Sequence, residues 1–268
     1  MILAGTTLAG LWLGCATAVA YTVPAAAAPQ LSTRAAQGAL LLAWVLHATL
    51  LVLGLTADTP RFGFAPALSV TAWLVLTVYA VESRLFPQLR ARWALAGLGA
   101  VAVLLGLLFP GTPLHVTASP WLPLHLALGI ASYGLFGAAV VHAWLMTRAE
   151  RQFRLATDPQ AGLPLLTLER LTFRFVSAGF VLLSATLLAG ALFGETLYGP
   201  SGRLWKWDHK TVFSVLSWLT FATLLVGRAR FGWRGRTAVR VLYLGSILLL
   251  LSYVGSRFVI EVVLGRGL

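Results

Sequence analysis

The sequence predicts an all-α fold, a polytopic membrane bundle of about eight transmembrane helices. Three observations lead there. Hydrophobic residues make up 59% of the chain and charged ones 10%, whereas a soluble chain would expose far more charge. The apolar residues gather in runs close to the roughly 20 residues that cross a ~30 Å hydrocarbon layer. Those runs are continuously apolar, where the strands of a membrane barrel alternate and are about half as long. Successive spans of a bundle form one unit. Residues 1–268 are therefore read as a single integral-membrane domain.

Eight segments are marked: Ile2–Val23, Gly38–Thr56, Phe64–Val81, Trp93–Phe109, Trp121–Met146, Phe173–Phe193, Thr211–Val226 and Val239–Val262. The first contains Ala18-Val19-Ala20, which has the form of a signal cleavage site. No Lys or Arg lies between Met1 and Gly10, so a retained first span is expected instead. Cys15 is the only cysteine, which leaves no intrachain disulfide and no Cys-x-x-Cys-His attachment site. The second span carries His47 midway, roughly 15 Å deep at ~1.5 Å rise per residue. An ionisable residue at that depth is either a separate intramembrane site or a histidine bonded to a neighbouring helix.

Pro120 and Pro123 fix the start of the fifth span, and His125 stands in its first turn. At helical spacing its face continues through Gly129, Ser132 and Tyr133. These small and polar residues either leave room for a ring or allow a second helix to pack closely. His142, beside Trp144, is read as an interfacial anchor, and Arg148 to Arg154 as a helical extension beyond the bilayer. In the last span Arg257 and Glu261 are four apart, with Tyr253 one turn earlier on the same face. The plain reading there is an ion pair with a snorkelling arginine.

The basic residues set the expected orientation. Arg34 lies in the first loop, Arg84, Arg90 and Arg92 in the third, five arginines from Arg148 to Arg174 in the fifth, and five from Arg228 to Arg240 in the seventh. The even-numbered loops and the C-terminus hold only Arg61, Arg203, Lys206, Lys210 and Arg266. By the positive-inside rule the odd loops face the cytoplasm and both termini face outward. The net charge of +12 is thereby assigned to orientation and to membrane lipid, and not to nucleic acid.

The stretch with chemistry is the connection before the seventh span, Gly202-Arg-Leu-Trp-Lys-Trp-Asp-His-Lys-Thr. Trp205 and Trp207 stand next to Asp208, followed by His209 and Lys210. Two aromatic plates with polar groups at a membrane surface suit a large flat ligand with charged edges. Three of the five histidines, His115, His125 and His209, lie toward the same expected outward face. Neutral imidazole is a common ligand of haem iron.

Gly202, Trp205, Trp207, Asp208 and Lys210 resemble the Trp-rich signature of cytochrome c assembly membrane proteins of the CcsA and CcmC type. Ser201 stands where that pattern has a tryptophan, and His209 where proline is common. The resemblance is strongest over residues 119–268. It includes the segment from Ser119-Pro120-Trp121 through His125 to Tyr133, then Trp218, Gly232-Trp233-Arg234-Gly235-Arg236 and Tyr253-Val254-Gly255. Chain length and the Ser256-Arg257 pair are most similar to the smaller YpjD-type branch.

The resemblance implies a multi-pass protein of the bacterial inner membrane that holds haem non-covalently at the outward face. Trp205 and Trp207 would stack on the porphyrin and His125 would ligate the iron. His209 or His115 would supply the second axial ligand, and Arg257 or Lys210 would meet the propionates. Asp208 would orient the loop. Such a protein presents haem to apocytochrome c or to other maturation proteins. It forms no bond alone and is at most part of a haem-attachment system. The sequence also departs from CcsA-type members. Gly227 and Arg228 stand near the place of a histidine that ends the span after the Trp loop, and no histidine follows the last span. The alternative is an accessory membrane subunit that kept the fold without haem and acts through a transporter or assembly-complex partner.

Overall fold

The computed structural model describes residues 8–27, 30–57, 59, 61–85, 92–113, 121–154, 165–193 and 208–265. Its helices are α1 (Leu8–Ala26), α2 (Thr33–Leu55), α3 (Phe64–Leu85), α4 (Arg92–Leu108), α5 (Leu122–Arg154), α6 (Leu165–Leu192), α7 (His209–Phe231) and α8 (Gly235–Leu250). The last of these continues through two π-helical turns, Leu251–Gly255 and Val259–Val263, with Ser256–Phe258 between them. Seven helices are long and apolar enough to cross a bilayer, and the apolar stretch Leu95–Leu108 of α4 is shorter. Each of the eight segments marked in the sequence carries one of these helices over its described residues. α5 does run on to Arg154. α6 starts eight residues before the marked segment, at Leu165, because Leu165, Leu168, Thr172 and Val176 keep one face turned inward ahead of the fully apolar run.

The chain divides into two compact units, residues 1–114 with 257–268, and residues 115–256. In the first unit α1 packs on α2 and α4, and α3 on α4. Small residues permit the approach: the Tyr21 ring lies where a Cβ at Gly99 would come within 2.9 Å of it. Trp44 and Trp73 stack at 5.0 Å between α2 and α3, and the Trp44 indole donates to Thr77 Oγ1 at 2.8 Å. Strands β1 (Arg61–Phe62) and β2 (Thr112–Pro113) pair antiparallel, joining the second and fourth loops. Those loops therefore share one face, as an alternating path through the bilayer requires.

In the second unit α5 packs along α6, and α7 along α8. Its core is a stack of Phe136 on Phe221, 3.7 Å apart and 6° from parallel. Gly179 accepts the outer face of Phe136, and Gly245 that of Phe221, where added Cβ atoms would meet ring carbons at 3.1 Å and 2.8 Å. Between α7 and α8, Ser217 donates to the Gly245 carbonyl at 2.9 Å. Between α7 and α6, the Trp218 indole donates to Ser184 Oγ at 2.8 Å. At the other end of α7, Gly232 adopts φ +66° as the left-handed cap, Gly235 follows at φ +55°, and the Trp233 N–H returns to the Gly227 carbonyl. The Gly232-to-Arg236 turn is thus as tight as its glycines suggest. Arg228 pairs with Glu169 at 2.5 Å and lies 3.6 Å from the centre of the Phe173 ring. That ties the start of α6 to the end of α7.

Candidate functional site

One end of the second unit gathers the candidate groups, and each is placed by the start or end of a helix. Asp208 is the N-cap of α7: at φ −92°, ψ 168° its Oδ1 accepts from the Thr211 N–H at 2.8 Å. The carboxylate is therefore committed to the backbone, which agrees with an orienting role. His209 follows as the first helical residue and is exposed. Lys210, one residue on, holds its ammonium 5.5 Å from the centre of the Tyr253 ring.

His125 occupies the first turn of α5, with its N–H bonded to the Trp121 carbonyl at 3.1 Å. The ring is half-buried and lies beside Gly190 near the end of α6, where a Cβ would stand 3.6 Å from Cε1, an ordinary packing distance. Lys210 lies within electrostatic reach of His125. The first turns of α5 and α7 and the ends of α6 and α8 thus meet around an imidazole, an ammonium and an aromatic ring. That set of groups fits a ligand with an iron centre and an acidic edge: one nitrogen donor, one cation and one ring face.

Below His125 the face of α5 is closed. Thr186 stands 3.6 Å from where a Gly129 Cβ would be, and Ser132 is buried with its hydroxyl on the Gly129 carbonyl. Of the two readings of Gly129 and Ser132, helix packing is the one realised there. Tyr133 reaches further. Its hydroxyl donates to the Leu249 carbonyl and lies 3.0 Å from Ser252 Oγ.

The other sequence candidates are placed differently. His47 belongs to the first unit and is fully buried. Nδ1 lies 3.2 Å from the Tyr21 hydroxyl and Nε2 2.8 Å from Ser69 Oγ. In either tautomer one ring nitrogen donates and one accepts, and both hydroxyls can answer, so the geometry is that of a helix-to-helix bond. Arg257 and Glu261 also belong to the first unit, and the Glu261 carboxylate lies against Gly63 at the head of α3 with Arg257 in electrostatic reach. The π turns spoil the simple four-residue spacing from Tyr253 through Arg257 to Glu261. His142, expected as an interfacial anchor, is buried inside the second unit, with Nδ1 2.7 Å from the Ala138 carbonyl and its ring against Phe175. His115, Trp205 and Trp207 lie outside the described residues.

Sequence reasoning passed over Gly190 and Ser252, and gave Asp208 an orienting role without placing it as the helix cap. The cap had a signal, an Asp three residues before Thr211 at the head of an apolar run. Gly190 and Ser252 had none, because each matters only through a residue on another helix.

The profile of the family described as cytochrome C assembly protein matches residues 34–264. The chain belongs to the cytochrome c assembly protein family. Over 148 residues it is 35% identical to an uncharacterized 28.8 kDa protein in a nifR3-like 5′ region of Azospirillum brasilense, covering 54% of each chain. It is 30% identical over 152 residues to the inner membrane protein YpjD of Escherichia coli K12, 56% of each. It is 27% identical over 193 residues to the cytochrome c biogenesis protein CcsA of Prochlorococcus marinus, 70% of this chain and 55% of the relative. The chain thus spans about half the length of the curated relatives it matches. No solved structure matches. Family and spans together make this a multi-pass helical membrane protein of the cytochrome c assembly family.

Proposed function

We propose that this protein holds haem non-covalently at one face of a bacterial inner membrane and presents it for cytochrome c maturation. The observation that carries the proposal is the convergence of His125, Lys210 and the Trp loop's Asp208 cap at one end of the second unit. Bound haem would supply an iron centre that takes an imidazole and two propionates that take cations. His125 offers the imidazole from a first turn that Pro123 helps to fix. Lys210 offers the cation, held by the Tyr253 ring. Asp208 fixes where α7 begins, directly after Trp207 and three residues after Trp205 in the sequence. Those indoles would cover the porphyrin face. His209 is the favoured second ligand because it shares the turn of Lys210, and His115 is the other candidate. Apocytochrome c or another maturation protein would receive the haem.

A second reading, an accessory subunit without haem, draws on the positions where CcsA-type members carry a histidine. Trp233 covers Gly227, and Arg228 is engaged by Glu169, so neither place has room for a ligand. Absorbance and resonance Raman spectra of haem-loaded parent, His125→Ala, His209→Ala and His115→Ala proteins decide between the readings. A changed ligand field is expected for His125→Ala and for one of the other two. No haem in the folded parent, or three unchanged spectra, would leave the accessory reading in place.

A further inference from the structure

Tyr133 and Tyr253 stand in this end of the second unit on helices far apart in sequence, and the ligand reading assigns a part to neither hydroxyl. The Tyr133 hydroxyl donates to the Leu249 carbonyl, four residues before the Tyr253 backbone N–H. In an unbroken α-helix that carbonyl and that N–H would be each other's partners. A side chain standing between such a pair is one of the few causes that open an α-helical ladder. The chain responds here with a π turn over Leu251–Gly255, where the Ser256 N–H returns five residues to the Leu251 carbonyl. Ser252 Oγ, buried at 2% exposure, meets the inserted hydroxyl at 3.0 Å. The intruding group is thereby satisfied where no water would serve it.

The opened turn changes where its side chains point. One residue accommodated as a π bulge displaces those after it by about 100° around the axis, the angle of one α-helical residue. Tyr253 lies inside this turn, and its ring meets the Lys210 ammonium. Lys210 in turn lies in electrostatic reach of His125.

We infer that Tyr133 is a positioning residue: by opening the last helix it sets the Tyr253 ring against Lys210 and so holds the ammonium beside His125 for the acidic edge of the ligand. The acidic ligand rests on the function proposed above; the placement of Lys210 does not.

The sequence contains two lysines, Lys206 and Lys210, so acylation by an amine-reactive reagent can be read cleanly. The ligand-free protein in nanodiscs is labelled, and the rate at Lys210 is measured by peptide mass spectrometry against Lys206. Tyr133→Phe and Tyr253→Leu are each expected to speed Lys210 acylation by about two- to fivefold, the scale of a partly exposed cation–π contact. The double variant should exceed neither single one. Ser252→Ala, which keeps the inserted hydroxyl but removes one of its partners, is expected to give a smaller rise in the same direction. It serves as the second probe if Tyr133→Phe does not fold.

A Lys210 rate raised in Tyr253→Leu but unchanged in Tyr133→Phe and Ser252→Ala would overturn the role of Tyr133. Unchanged rates in all three would overturn the placement of Lys210. Haemin titration adds the ligand arm: Tyr133→Phe should weaken binding in the parent but add no loss in a Lys210→Met background. An equal loss in both backgrounds would show general damage and overturn the positioning role. If the folded parent takes up no haemin, the functional reading falls while the labelling still decides this inference.

Discussion

The Glu261 carboxylate stands at the head of α3, against the backbone of Gly63. A Cβ at Gly63 would stand 2.7 Å and 2.8 Å from its two oxygens, so glycine is what lets the carboxylate reach the helix. Phe258 meets Phe64 edge-on at 5.3 Å and holds the two segments together. The leading N–H groups of a helix lack internal partners, and an anion there is favoured by the helix dipole. Glu261→Ala is therefore predicted to lower stability by about 1–2 kcal/mol. Gly63→Ala should do likewise by displacing the carboxylate. Thermal unfolding in detergent is the measurement, and an unchanged midpoint for Glu261→Ala would refute that role.

Asp208 is predicted to act through the helix and not through the ligand. Asp208→Ala should cost about 1 kcal/mol, while Asp208→Asn and Asp208→Ser, which can still cap, should retain most of that. Haemin binding should follow stability across the three. An Asp208→Asn protein that melts like the parent yet loses haemin would give the carboxylate a direct contact instead.

His47 is predicted to matter for stability alone. His47→Ala strands the Tyr21 and Ser69 hydroxyls in a buried site, at a cost of about 1–3 kcal/mol for each one left unsatisfied. The expected result is a lower unfolding midpoint with an unaltered haem spectrum. Loss of an axial ligand in His47→Ala would place His47 in the haem site.

Gly245→Leu is predicted to overpack the second unit. Its first added carbon would already sit 2.8 Å from Phe221 Cε1, against a ring stacked on Phe136. Overpacking of this kind costs about 1–3 kcal/mol. A midpoint equal to that of the parent would mean that the Phe136–Phe221 stack yields without cost.

Orientation is predicted from the arginines. The pairing of β1 with β2 puts the second and fourth loops on one face, and Glu261 at the head of α3 brings the end of the last span to that same face. The Arg228–Glu169 pair does the same for the fifth and seventh loops. Reporter fusions at Leu268 and between Arg148 and Arg170 should give opposite answers, with the C-terminus outside the cytoplasm. A cytoplasmic C-terminus would move the Trp loop to the inner face.

The sequence by itself determined the helices, their number and the expected sidedness, because each follows from a local property: apolar length for the spans, charge count for the loops. It also marked His125, Asp208 and Lys210 as residues of interest. Their roles were decided by tertiary structure. His125 is a candidate ligand because Lys210, on another helix, lies in its electrostatic reach at the same end of the unit. His47 reads as a packing residue because Tyr21 and Ser69 take up both of its nitrogens. The π turn at Leu251–Gly255 has no signal in its own residues. It is paired with a hydroxyl 116 positions away, Tyr133 on Leu249. Periodicity reports which face of a helix is apolar, but which partner fills that face depends on packing between distant segments.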